Sequence, residues 1–242
     1  MAVNTPDKNQ NEKILINDIR KKVTFSIVES YKNIRTNITA MMAKNNSKIV
    51  AISSPNAAEG KSTTALNIAI TVSQLEKKVL IIDADTHRPT IHKKLKIENN
   101  FGLLNVILDK SGLDKALYHH NDYLDVLTCG TNSTKPSELL NSEKFSELLN
   151  HLRDQYDFII VDTPPINPVS DALVVAQKVD AVVLIVRAYN TTHDAFKKSL
   201  KSLNVLDIKV DGVIVNGSDP RPKGYYKSKY SYYKYGYGRS YY

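Results

Sequence analysis

Five short runs of Val, Ile and Leu constrain this chain more than any other feature. They are KIVAIS (48–53), KVLIID (78–83), DFIIVD (157–162), AVVLIV (181–186) and KVDGVIV (209–215). Each has the length of a strand, and its apolar residues run on instead of alternating with polar ones. Strands of that kind are buried on both faces, as in a parallel sheet with helices above and below. Segments of helical period separate them. In 26–44, Ile27, Tyr31, Ile34, Ile38 and Met41 make one apolar stripe, with Glu29, Lys32 and Arg35 in a charged row beside it. In 61–76 the stripe runs through Ala65, Ile68, Val72 and Leu75, and further helices fit 143–155 and the region near 192–204. The alternation predicts one α/β domain: a mostly parallel sheet with helices on both faces.

That domain is expected to span 25–219. Residues 1–24 are polar and aperiodic, which suggests a flexible arm. Residues 220–242 have the composition of a disordered tail. The last eighteen residues, YYKSKYSYYKYGYGRSYY, hold nine tyrosines (Tyr225, Tyr226, Tyr230, Tyr232, Tyr233, Tyr235, Tyr237, Tyr241 and Tyr242) and no Leu, Ile, Val or acid. The net charge is +8, and six basic residues after Pro220 leave only +2 for the rest. Basic character therefore belongs to the tail and not to the folded body, which argues against a nucleic-acid-binding domain, although lysines among aromatics can pair with phosphates and stack on bases. The single cysteine, Cys129, excludes an intrachain disulfide. The polar start and the lack of a long apolar run predict a cytoplasmic chain.

Three of the strand ends carry chemistry. SSPNAAEGKST (53–63) lies between the first of these strands and the helix at 61. Glu59-Gly60-Lys61-Ser62-Thr63 has the form of the closing half of a phosphate-binding loop, in which amides at a helix N-terminus face the anion. Lys61 would reach the β/γ-phosphates and Ser62 would hold Mg²⁺. Pro55 and Ala58 stand where such loops usually have glycine. LIIDADTHRP (80–89) places Asp83 and Asp85 after a second strand, two residues apart and so on one side. FIIVDTPP (158–165) places Asp162 at the end of a third. Ligands of open α/β sheets bind at the carboxyl ends of strands, so these groups are expected to converge. Each aspartate alone could instead cap a turn. Together with Lys61 they suit ATP and Mg²⁺, with Ser62, Asp85 and Asp162 near the metal and Asp83 as the candidate proton acceptor.

These residues resemble the bacterial tyrosine kinases (BY-kinases), in particular the CpsD/CapB type associated with capsule and exopolysaccharide synthesis. The group is related to the MinD/ParA ATPases and shares their P-loop NTPase fold. Asp83-x-Asp85 matches the family's Walker A′ motif and Asp162 its Walker B aspartate. ESYKNIRTNI (29–38) resembles its N-terminal E-x-x-R-x-x-R-TN element, with Lys32 at the first Arg, and LDVLTCGTNSTKPSELL (124–140) resembles the stretch between the halves of its sheet. His87 stands where the family often has Arg. MinD/ParA ATPases carry an extra lysine early in the loop, and 53–59 has none.

The resemblance implies ATP- and Mg²⁺-dependent phosphorylation of the C-terminal tyrosines of a neighbouring subunit, along with other protein tyrosine substrates. It implies a homo-oligomeric ring with Glu29, Lys32 and Arg35 at the interface. It also implies recruitment to the inner face of the membrane by a membrane-embedded activator of the polysaccharide co-polymerase class. Asn216 would touch adenine or cap a turn. The pair His119-His120 is expected in an exposed loop.

Overall fold

The computed structural model describes residues 25–109, 112–131 and 135–218. The arm 1–24 and the tail, with all nine of its tyrosines, lie outside the described residues. Helix α1 (Phe25–Lys44) leads into β1 (Ile49–Ser53), α2 (Lys61–Ser73) and β2 (Val79–Asp83). Three short helices follow: α3 (Ile91–Leu95), α4 (Leu103–Leu108) and α5 (Leu113–Ala116). Then come β3 (Leu117–Asn121), β4 (Leu124–Leu127), α6 (Pro136–Asn141), α7 (Glu143–Gln155) and β5 (Phe158–Asp162). The domain closes with α8 (Asp171–Ala176), β6 (Ala181–Arg187), α9 (His193–Asn204) and β7 (Gly212–Asn216).

The sheet has the order β3-β4-β2-β5-β1-β6-β7. All pairs are parallel except β3 with β4. β1, β2 and β5 are buried along their whole length, as their unbroken apolar runs require. Alternate residues serve opposite layers. Val50, Ile52, Ile81 and Ile160 pack with Ile38 and Met42 of α1 and with Ala65, Ile68 and Val72 of α2. Ile49, Ala51, Ile82 and Val161 pack with Leu103 and Ile107 of α4 and with Phe145 and Leu149 of α7.

Two expectations fail. β7 reads as a doubly buried strand, yet Val213 and Val215 are 46% and 54% exposed. It is the edge of the sheet, where α1 covers one face through Ile214 and the other face opens to solvent. His119 and His120 lie in β3 and not in a loop, and His119 Nδ1 sits 2.6 Å from Asp125 Oδ1 of β4. Among the described residues no helix is long and apolar enough to cross a membrane.

Candidate active site

The parallel register sets the site. Asp83 of β2 lies opposite Asp162 of β5 on adjacent strands. By the strand period both face the layer of Ile81 and Ile160, which is the side of α2. Lys61 and Ser62 open α2, so the loop 54–60 and three carboxyl groups meet at the carboxyl ends of β1, β2 and β5.

Gly60 is required twice over. Its φ of 94° is left-handed, and a Cβ there would lie 2.1 Å from Asn216 Nδ2. Asn216, at the end of β7, donates to the Glu59 carbonyl at 3.0 Å, so it packs over the phosphate loop. Ala58 also takes a left-handed φ of 63°, where a side chain costs roughly 1–2 kcal/mol. The loop is held in compensation from outside. Arg187 Nη1 donates to the Ala58 carbonyl at 3.1 Å. The fully buried Glu59 side chain accepts from Asn56 N at 3.0 Å and from Thr191 Oγ1 at 2.6 Å. Glu59 therefore acts through its side chain as a brace inside the loop. Pro55 is buried, and its carbonyl accepts from Asn167 N at 3.2 Å. Thr63 is exposed and accepts from Lys94 Nζ at 2.8 Å.

Lys61 is buried, with Nζ 2.5 Å from Asp85 Oδ2 and 3.4 Å from Ser62 Oγ. Burial alone would lower its pKa, but the charges of Asp162, Asp85 and Asp83 outweigh it and hold the ammonium above its ordinary value. Asp83 shapes the loop 84–90. Its Oδ1 accepts from Asp85 N at 3.2 Å, and its Oδ2 accepts from Thr90 N and Ile91 N, both at 3.0 Å. The turn-holding role open to any aspartate is thus realised at Asp83. Burial, then the charge of Asp162, still push its pKa up to about 8. Asp85 Oδ1 accepts from Arg88 N at 2.9 Å.

Asp162 is different. It is fully buried, and neither oxygen has a hydrogen-bond partner among the described residues. Burial raises its pKa to about 6, against the opposing pull of Lys61 and of the nearby Ser62 hydroxyl. A bare carboxyl group in the interior is costly unless a cation completes it. Hard divalent ions take oxygen ligands, and Asp162, Asp85 and Ser62 supply them, so these residues fit Mg²⁺.

One buried carboxyl group escaped the sequence reading. Asp171 accepts from Ser137 Oγ at 2.7 Å and from Thr86 Oγ1 at 3.1 Å, and it lies 3.2 Å from His87 Nε2. Only its place nine residues after Asp162 could have drawn attention to it. The helix-face residues do not converge on the site. Glu29 and Lys32 pair with each other at 2.8 Å on the exposed face of α1, and Arg35 donates to the Thr71 carbonyl of α2.

Comparison with known proteins agrees with this geometry. The family model described as AAA domain matches residues 47–206. The kinase domain of Escherichia coli tyrosine kinase ETK superposes with a TM-score of 0.75 at 34% identity, covering 84% of this chain and 80% of that one. The chimerical protein CapA2B2 superposes at 0.73 and 33% identity, covering 81% and 87%. A chain of the Aquifex aeolicus MinC:MinD cell division protein complex, at 22% identity and a TM-score of 0.58 over 69% of this chain and 68% of that one, shares the fold. Tyrosine-protein kinase YwqD of Bacillus subtilis is 40% identical over 205 residues, spanning 83% of this chain and 86% of its own length. With a phosphate loop, paired strand-end carboxyl groups and that degree of identity over most of both sequences, the chain belongs to the family of bacterial tyrosine-protein kinases.

Proposed function

We propose that this chain is an ATP-dependent protein-tyrosine kinase that phosphorylates its own C-terminal tyrosines between subunits and regulates capsule or exopolysaccharide synthesis. The observation that carries it is Asp162, buried and without a partner beside Lys61, Ser62 and Asp85. That arrangement suits a metal–nucleotide complex and nothing else obvious in the fold.

Mg²⁺, when bound, would neutralise phosphate charge and polarise the transferred group. The chain's own residues do the rest. Amides at the N-terminus of α2 receive the phosphates. Lys61, charged at neutral pH, exchanges Asp85 for phosphate oxygens. Asp162, Asp85 and Ser62 would hold the metal. Asp83 is the proposed acceptor of the tyrosine proton, because its carboxyl group stands at the end of β2 opposite Asp162 and two residues from Asp85. Its variant should lose turnover while keeping Mg²⁺-dependent nucleotide affinity, whereas D85N should lose both.

The tail suits the substrate role. It carries six positive charges and no acidic residue, which suits an acid-lined crevice. Each phosphotyrosine adds about −1.5 to −2 charges, so three or four cancel its positive charge and favour release. A ring using the α1 face, and a membrane-embedded activator that brings the chain to the inner membrane surface, complete the proposal. The test is intact mass after incubation with ATP and Mg²⁺, at high concentration or with the activator. Phosphate additions that map to Tyr225–Tyr242 and vanish in K61M are expected. ATP turnover with no phosphotyrosine would overturn the reading in favour of a MinD/ParA-like ATPase.

A further inference from the structure

We infer that Asp171 is a positioning residue for phosphoryl transfer: it clamps the outer side of the loop that carries Asp85 against the crossover that follows Asp162. The inference rests on the kinase reading above.

The loop 84–90 hangs between two carboxyl anchors. Asp83 holds its inner side through the amides of Asp85, Thr90 and Ile91. Asp171 holds its outer side through Thr86 Oγ1 and His87 Nε2, both meeting its Oδ2. Thr86 follows Asp85 directly, so any shift of Thr86 is passed to the group that pairs with Lys61. Asp171 itself opens α8 at the end of the segment 163–170, whose first residue follows Asp162. Its Oδ1 takes the Ser137 hydroxyl at the start of α6, which ties in the crossover after β4.

One side chain, 3% exposed, thus fastens three crossovers at the same end of the sheet. Its donors lie 85, 84 and 34 residues away in sequence. His87 is 47% exposed, and its bond to Asp171 gives the imidazole a fixed direction beside Arg88. Asp171 makes no hydrogen bond to residues 54–63, the phosphate loop. Its loss should therefore misplace Asp85 and leave the loop that grips the phosphates in place.

This predicts a split that simple destabilisation would not give. In D171N the amide keeps one acceptor and turns a donor toward another donor, so part of the clamp is lost. A displacement of about 1 Å at a catalytic group costs up to about 100-fold in rate. The expected result is a kcat for tyrosine phosphorylation about 10–100-fold lower, with affinity for ADP measured without Mg²⁺, which the phosphate loop sets, within about 3-fold of wild type. H87A should show a smaller loss, H87Q should restore most of it, and D171N/H87A should be no slower than D171N alone, because both act through one contact.

A D171N enzyme with wild-type kcat, or losses that multiply in the double variant, would overturn the inference. If D171N does not fold, T86V removes one bond of the clamp and leaves Asp171 its contacts to Ser137 and His87, and it should lower kcat about 3–10-fold on the same logic; wild-type kcat in T86V is then the contrary result. Failure of the kinase reading is separately visible, as a wild-type protein without phosphotyrosine. In that case the clamp is read from the Mg²⁺-dependent gain in affinity for a fluorescent ADP analogue. D171N reduces that gain at least about 3-fold if Asp171 positions Asp85, and leaves it unchanged if it does not.

Discussion

The run DFIIVD begins and ends on aspartate, and the two ends have opposite fates. At the amino end of the sheet, Asp157 Oδ2 accepts the Lys78 amide before β2 at 2.9 Å. Asp180 does the same for Lys48 and Ile49 at the start of β1 and also pairs with Arg153, while Asp211 accepts the Val182 amide at the start of β6. Each of these aspartates stands just before one strand and closes the open end of its neighbour. At the carboxyl end, Asp83, Asp85 and Asp162 crowd around one lysine, and neither side-chain oxygen of Asp162 has a hydrogen-bond partner among the described residues. The same residue type stabilises one end of the sheet and strains the other. Strain of that kind is expected where a fold keeps groups for a ligand rather than for itself.

The largest test of that contrast is removal of charge at each end. K61M and D162N should each lower kinase activity by about 10²-fold or more, because in the proposed mechanism each of the replaced residues supplies charge to the transferring phosphate or its metal. D180A should keep most of its activity but lose about 1–2 kcal/mol of stability, since it unties two strand amides and an ion pair. Urea unfolding alongside a phosphorylation assay separates the two. An active D162N, or an inactive but stable D180A, would erase the difference between the ends.

G60A comes next. It meets the Asn216 amide and a left-handed backbone together, so nucleotide affinity should fall at least about 10-fold. N216A loses only the bond to the Glu59 carbonyl and should cost about 1 kcal/mol of nucleotide binding. Fluorescent nucleotide titration ranks them. Equal effects would mean that Asn216 does more than sit over the loop.

The two ends should also answer pH with opposite signs. Asp162 and Asp83 have raised pKa values in the folded protein, about 6 and about 8. The native state then binds more protons than the unfolded chain, and the metal-free protein loses stability as pH rises from about 4 toward 8. For Asp180, burial pushes the pKa up, but Arg153 and the amides of Ile49 and Lys48 bring it below the ordinary value. Its contribution is present above about pH 4 and fades as pH falls below that. Stability measured from pH 3.5 to 8 should therefore be flatter on the neutral side in D162N and flatter on the acid side in D180A. The smallest effect is expected at E29A. The exposed Glu29–Lys32 pair is worth at most about 0.5 kcal/mol. A change in oligomeric state by light scattering, with unchanged stability, would identify that face as the ring contact.

The sequence made some of this legible and hid the rest for physical reasons. The buried strands announce themselves because a doubly covered strand has no polar positions. Lys61, Ser62 and the strand-end aspartates are legible because the crossover topology sends them to one place. The hairpin of β3 and β4 is not, since LYHHN is half-buried and polar and LDVL is only four residues long. The brace that lets Pro55 and Ala58 replace glycines joins Glu59 to Thr191, 132 residues away, and no local pattern reports it. Asp171 is hidden for the same reason. The sequence separates Asp162 from Asp157 by the end of the strand each occupies, but it does not report that the Lys78 amide before a neighbouring strand satisfies Asp157.

Unfolding free energies of wild type and D162N, each with and without Mg²⁺ and ADP, weigh strain against ligand in one experiment. Without ligand, D162N should be more stable than wild type by about 1–2 kcal/mol, because a bare buried charge has gone. With Mg²⁺ and ADP the wild type should gain stability and D162N should gain little. A D162N protein that is less stable without ligand, or that gains as much as wild type when Mg²⁺ and ADP are added, would contradict the assignment of Asp162 as a carboxyl group held unpaired for the metal–nucleotide complex.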